Sequence, residues 1–251
     1  MRVFVTGLGV VSGIGLNKEE NLNALIDGRH GMGKATLFDT LLDVPVSEVK
    51  QSNAELKERL GLDPAQTYSR TALLGMLAAK EALNDSNTGI DTPRIGLISS
   101  TSVGGMDLSE NFYTAFRENK SGGRLREVAS HDCGDSTRKI ADYLGHTGFA
   151  TTISTACSSG ANAIMLGARL IKSGYLDTAI VGGTDSLCRF TLNGFSSLLI
   201  LDKEHCRPFD RSRAGLNLGE GAGYLVLQGE GKTSRTPYCE LTGYANINEA
   251  Y

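Results

Sequence analysis

The sequence predicts an α/β fold, with a mixed, mostly parallel five-stranded sheet and helices on both faces. Two features support this. Short apolar runs alternate with stretches of helical period, the pattern of strand–helix–strand units. Glycine is abundant, 31 of 251 residues, and clusters where apolar runs end, as tight turns and close backbone approaches require. No internal repeat or linker-like segment divides the chain.

Residues 3–5 form a short apolar run closed by Gly7, Gly9, Gly13 and Gly15, which predicts a buried strand and then a glycine-rich turn. Residues 18–26 are expected to be helical and to stop near Gly28, and residues 36–49 lack a period and are expected to form a loop. Over residues 67–84, Ala72, Met76, Ala79 and Leu83 fall on one helix face. Pro93 precedes a second strand at 95–98, and helices are expected near 108–117 and 137–144. A third strand at 150–154 leads into a helix over 158–173, with Ile164, Ala168 and Ile171 on one stripe. Lys172 in its last turn and Gly174 after it mark the C-terminus. The fourth strand, 178–181, is expected to end at Gly182-Gly183, and 223–227 forms the fifth. Residues 238–247 read as a further strand, and residues 248–251 stop without a capping helix or polar tail.

Composition excludes several functions. Hydrophobic residues make up 40% and charged residues 21%, an ordinary globular balance. The net charge of −3 comes with no basic block, so nucleic acid is not an expected partner. The five cysteines, Cys133, Cys157, Cys188, Cys206 and Cys239, are odd in number and have no Cys-x-x-Cys spacing. Neither a disulfide framework nor a metal site is expected, and a reducing cytoplasm fits. The N-terminal apolar stretch is too short and glycine-broken for a signal peptide. No apolar run approaches the roughly 20 residues of a membrane span. His30, His131, His146 and His205 lie in polar loop or helix-end contexts without metal spacing, and are expected to be exposed or locally satisfied. Gly7-x-Gly9 lacks the third small residue and the later acidic residue of a dinucleotide fingerprint. Gly-x-Ser-x-Gly is absent. No cofactor is implied.

The strongest chemical signal is Ser154-Thr155-Ala156-Cys157-Ser158-Ser159-Gly160, between an expected strand and an expected helix. Unpaired N–H groups and the positive end of the dipole at a helix start favour a thiolate, the nucleophilic form of cysteine. Small neighbours leave room for a substrate thioester. Taken alone, the same position also accommodates a buried structural cysteine. Glu220, between Gly219 and Gly221, reads as a turn carboxylate accepting backbone N–H groups.

Thr155-Ala156-Cys157-Ser158-Ser159-Gly160 resembles the nucleophile signature of β-ketoacyl synthases. Other segments match that family in the same order: Val5-Thr6-Gly7-Leu8-Gly9-Val10-Val11-Ser12, Ser102-Val103-Gly104-Gly105, Val181-Gly182-Gly183-Thr184-Asp185, and Arg207-Pro208-Phe209-Asp210-Arg211 through Leu218-Gly219-Glu220-Gly221-Ala222-Gly223. Thr184-Asp185 and Gly215-Leu216-Asn217 match only loosely.

The resemblance implies a thiolase-like fold, of which residues 1–251 would be the nucleophile-bearing half of a layered αβαβα architecture. It also implies decarboxylative Claisen condensation. Cys157 would take an acyl group from a carrier-protein thioester, and malonyl carrier protein would lose carbon dioxide and attack it. Val103 and Phe195 match positions that shape the family's acyl pocket, although both also suit plain core packing. Arg124, Arg126, Arg207 and Arg211 are candidates for gripping an acidic acyl carrier protein. Family members are homodimers, so a homodimer is expected.

The family's second half supplies two further catalytic residues, usually histidines, in a His-Gly-Thr-Gly-Thr motif and a later Asn-x-x-His-like motif. Neither motif occurs here, so the chain alone is expected not to condense. A different thiolase-fold enzyme, a chain-length partner lacking the cysteine, and a short binding or scaffold module are the alternatives. The 207–223 stretch and Cys157 argue against the first two.

Overall fold

The structure is a computed structural model and describes residues 1–247, so the expectation for 248–251 lies outside the described residues. Its elements are β1 (Val3–Ser12), α1 (Lys18–Ile26), β2 (Met32–Gly33), β3 (Val46–Ser47), α2 (Asn53–Leu60), α3 (Arg70–Asp85), β4 (Ile95–Ser100), α4 (Met106–Glu118), α5 (Leu125–Val128), α6 (Cys133–Leu144), β5 (Phe149–Ile153), α7 (Ser159–Lys172), β6 (Thr178–Asp185), α8 (Arg189–Ser197), β7 (Gly221–Gly229) and β8 (Cys239–Glu240).

The main sheet has six strands in the order β5-β4-β6-β7-β1-β8, and β2 pairs with β3 in a separate ribbon. Strand β4 pairs in parallel with β5 and β6, whereas β7 is antiparallel to both β6 and β1, and β8 is antiparallel to β1. The expected mixed sheet is observed, but with six strands rather than five and with more antiparallel than parallel pairings. An apolar run buried on both faces looks the same in either direction. Direction is set by partners from the opposite end of the chain, such as Val3 opposite Gly229.

Helices cover both faces, as expected. Along β6, Ile180 joins a core with α3 and α6, while Ala179 and Val181 join a core with α7, following the two-residue period of a strand. The stripe expected on α3 is widened. Leu73, Leu74, Ala78 and Ala82 are buried along with Ala72, Met76, Ala79 and Leu83, because α3 lies between the sheet, α2 and α6.

Two expected strand ends are corrected by the same physics. Strand β1 continues through Gly7 and Gly9, because there the missing side chain admits α3: a Cβ on Gly9 would stand 2.0 Å from the Ala78 carbonyl oxygen. Strand β6 likewise runs through Gly182 and Gly183 to Asp185. The strand expected at 238–247 shrinks to β8, whose pairing to β1 stops at Val5, where β1 changes register. Helices α2, α5 and α8 were not anticipated. The start of α2 was legible, since Ser52 and Glu55 form a reciprocal capping box and Gly61 ends the helix in the left-handed conformation.

Candidate active site

Cys157 lies in the short connection between β5 and α7 and is exposed. The turn is sharp: Ala156 adopts φ of 52°, a left-handed conformation unfavourable for a residue with a Cβ. The buried Ser159 side chain holds it there. Ser159 Oγ accepts the Thr155 N–H at 2.8 Å and donates to the Ala156 carbonyl at 2.7 Å. Asn162 braces the other side, donating from Nδ2 to Thr155 Oγ1 at 2.8 Å. At the helix start, Ser158 occupies the N-cap position without a side-chain capping bond. The Cys157 N–H has no acceptor among the described residues. Cys188 differs: it is buried, and burial pushes its thiol pKa up.

Two cavities meet at Cys157. An open one of about 450 Å³ is walled by Ser100, Thr101, Gly183 and the Gly221-Ala222-Gly223 backbone. The other, about 320 Å³ and mostly apolar, is lined by Val103, Leu187, Thr191, Phe195 and Leu218. The structure thus brings Val103 and Phe195 to one cavity with Cys157. Both are half-buried.

The four arginines are not gathered there. Arg124 and Arg126 are exposed around α5, and Arg207 and Arg211 are exposed in the loop before β7; none lines either cavity. Arg207 donates to the Ser212 carbonyl at 3.0 Å. The histidines also stay away from both cavities. His131 pairs with Ser109, His146 is buried against the Phe149 carbonyl, and His30 packs edge-on against His205. Among the described residues no group of three or more His, Cys, Asp or Glu side chains could hold a metal ion.

Glu220 accepts the Val49 N–H at 2.8 Å and the Leu187 N–H at 3.0 Å, the N–H-capping role read from its turn. Sequence reasoning missed its main partner, the buried Arg70 guanidinium. It also missed the Ser159 tie and Asp185, whose carboxylate borders both cavities. Spacing carries no signal for pairs this distant in sequence.

Comparison with known proteins bears on this arrangement. The family model for the β-ketoacyl synthase N-terminal domain matches residues 1–232. The chain is 30% identical to 3-oxoacyl-[acyl-carrier-protein] synthase 2 of Synechocystis sp. and to the protein of the same name from Staphylococcus aureus (strain MRSA252), in each case over 100% of this chain and 64% of the relative. It therefore spans just under two thirds of the length of these curated relatives. Among solved structures it resembles the ishigamide ketosynthase/chain length factor, with TM-score 0.82 and 28% identity over 90% of this chain and 58% of that one. It also resembles the ketosynthase ApeO, solved in complex with its chain length factor ApeC from Xenorhabdus doucetiae, with TM-score 0.77 and 29% identity over 91% of this chain and 58% of that one. A third is AntDE:AntF, a type II polyketide synthase acyl-carrier protein in complex with its ketosynthase, with TM-score 0.82 and 25% identity over 100% of this chain and 64% of that one. An exposed cysteine on a strand-to-helix turn, in the motif that first suggested the relationship and inside the matched segment, agrees with these likenesses: the chain belongs to the β-ketoacyl synthase family and carries its N-terminal domain.

Proposed function

We propose that the chain is the nucleophile-bearing domain of a β-ketoacyl-[acyl-carrier-protein] synthase acting in fatty-acid or polyketide-type chain elongation. The observation that carries this is the exposed Cys157 where an open cavity and an apolar one meet. The Cys157 sulfur attacks the thioester carbonyl of an acyl carrier protein; the carrier thiol leaves and the acyl group stays on Cys157. The hydrocarbon chain lies along Val103 and Phe195. The Cys157 N–H, with no acceptor of its own among the described residues, donates to the tetrahedral oxyanion. Malonyl carrier protein then loses carbon dioxide, and the resulting carbanion equivalent displaces Cys157, giving a β-ketoacyl thioester two carbons longer.

No histidine among the described residues reaches these cavities, and the family's two histidine motifs are absent from the sequence. Residues 1–251 therefore acylate but do not condense, the remaining general acid–base groups belonging to a further catalytic half. Arg124, Arg126, Arg207 and Arg211 are the proposed contacts for the acidic carrier. Pairing as a homodimer is supported by β5, an edge strand of Phe149-Ala150-Thr151-Thr152-Ile153 with no charge or proline to block a second copy. A cytoplasmic setting fits a chain in whose described residues no helix is long and apolar enough to cross a membrane.

The test is intact-mass detection of acyl transfer from an acyl carrier protein. One acyl group is expected on the wild-type chain and none on Cys157→Ala. Acylation that survives this substitution, or efficient carbon–carbon bond formation by the 251-residue chain, would overturn the corresponding part of the proposal.

A further inference from the structure

Among the described residues, Ala156, Cys157 and Asp185 alone line both cavities, and of these Asp185 alone carries a carboxylate. It is the last residue of β6, where the family motif matches loosely. Its Oδ1 accepts from the Thr101 hydroxyl at 2.6 Å, the Ser102 N–H at 2.9 Å and the Val103 N–H at 3.2 Å, while Oδ2 accepts from the Ser102 hydroxyl at 2.8 Å. Thr101 Oγ1 in turn accepts the Gly104 N–H at 3.0 Å. Among the described residues no cationic side chain pairs with Asp185. Its charge is met by the turn between β4 and α4, whose successive N–H groups converge as in an anion nest. That turn carries Val103 into the apolar cavity. From behind it is pressed on residue 130: a Cβ on Gly105 would stand 1.8 Å from the Ser130 carbonyl oxygen.

We propose that Asp185 is a positioning residue that sets which hydrocarbon chain lengths are accepted beside Cys157, by anchoring the turn that carries Val103. This rests on the reading of Cys157 as an acyl acceptor and names what determines its substrate class. Hydrogen bonds to a carboxylate are stronger than neutral ones, and a carboxylate accepts on both oxygens. In Asp185→Asn the amide oxygen still faces the Ser102 and Val103 N–H groups, but the charge that strengthens those bonds is gone and an NH2 donor replaces the Oδ2 acceptor of the Ser102 hydroxyl, so the turn is held more weakly and the Val103 wall loosens. Cys157 itself is held by a different device, the Ser159 tie on the β5–α7 turn. Chain-length preference therefore changes while the thiol stays accessible.

The test uses the 251-residue chain and a series of N-alkylmaleimides of increasing alkyl length, with iodoacetamide as the small reference reagent. Labelling of Cys157 is followed by peptide-resolved mass spectrometry, which separates it from the exposed Cys206 and Cys239. In Asp185→Asn the ratio of long-chain to short-chain rates is expected to move by about tenfold, with the iodoacetamide rate within about twofold of wild type. Asp185→Glu, which keeps the charge, is expected to return the ratio toward wild type. An unchanged ratio, or an equal change for every reagent, overturns the proposal. Should Asp185→Asn fail to fold by circular dichroism, Ser102→Ala decides. It removes one hydroxyl contact; a shift in the ratio supports the role and a wild-type ratio rejects it. No acyl transfer enters this readout. A wild-type chain with length-dependent labelling that takes no acyl group from a carrier thioester would refute the proposed function alone.

Discussion

Arg70 and Glu220, 150 residues apart, form a buried ion pair in which the guanidinium Nε donates to Glu220 Oε2 at 2.8 Å and Nη2 donates to Oε1 at 2.6 Å. The pair joins the first turn of α3 to the turn before β7. Glu220 also holds the Leu187 N–H, so the wall of the apolar cavity hangs on the same carboxylate. Glu220→Gln leaves the Arg70 charge buried without its counter-ion and is expected to cost about 3–5 kcal/mol in urea unfolding. Arg70→Met combined with Glu220→Leu removes both charges and is expected to cost less than the single substitution.

Ser159→Ala removes the hydroxyl that ties the Cys157 turn. The Thr155 N–H then loses its acceptor, at an expected cost of about 1–3 kcal/mol. Ala156 is no longer held left-handed, and Cys157 loses its fixed presentation. Iodoacetamide labelling of Cys157 and denaturant unfolding together check this.

Glycine substitutions separate close packing from conformational freedom. At Gly9 a methyl group would collide with the α3 backbone, so Gly9→Ala is expected to destabilise by more than about 2 kcal/mol. Among the described residues nothing lies within 4 Å of the Cβ position on Gly194 in α8. Gly194→Ala is expected to stabilise by roughly 0.5–1 kcal/mol through helix propensity. Thermal unfolding of the two variants should shift in opposite directions.

The Asp107 carboxyl Oδ1 is buried with no hydrogen-bond partner among the described residues, while Oδ2 accepts the Arg70 N–H at 2.9 Å. Burial pushes its pKa up to about 6, with Glu110 nearby adding to the rise. Because the folded value lies above the unfolded one, the proton is bound more tightly in the folded state. The stability this contributes is complete below about pH 4 and lost as pH rises through 6. The stability of Asp107→Asn relative to wild type is therefore expected to rise between pH 4 and pH 7, by roughly 3 kcal/mol at most. Unfolding at several pH values reads this slope whatever constant offset the amide introduces.

Phe195→Ala enlarges the apolar cavity and Val103→Phe fills it. Acyl groups of increasing length should load more readily onto Cys157 in the first variant, and long ones more slowly in the second. Competition among acyl thioesters, followed by intact mass, checks both.

Part of this was legible without coordinates. Helix α1 falls at the expected residues, and Gly174 follows α7 in the left-handed conformation, because propensity and capping are local. Strands β4, β6 and β7 were each located though short at one or both ends, and β5 was placed one residue late, since an apolar run reads as a strand only while its composition lasts. In β1 and β6 glycine was read as punctuation where it is a point of contact with α3 or β7. Helix α8 has no side-chain N-cap of the usual Ser, Asp or Asn type and begins after Cys188, so its start carried no familiar signal.

By itself the sequence determined the identity and setting of Cys157, the residues available to line a pocket, and the alternation of strand and helix. All of these are written within a few turns of the chain, where spacing and residue type act directly. Only the tertiary structure decided the antiparallel β7, the Arg70–Glu220 pair and the convergence of Val103, Phe195 and Asp185 on Cys157. Those contacts join residues far apart in sequence, so spacing along the chain carries no signal for them, and they form only when packing against the two faces of one sheet brings their elements together.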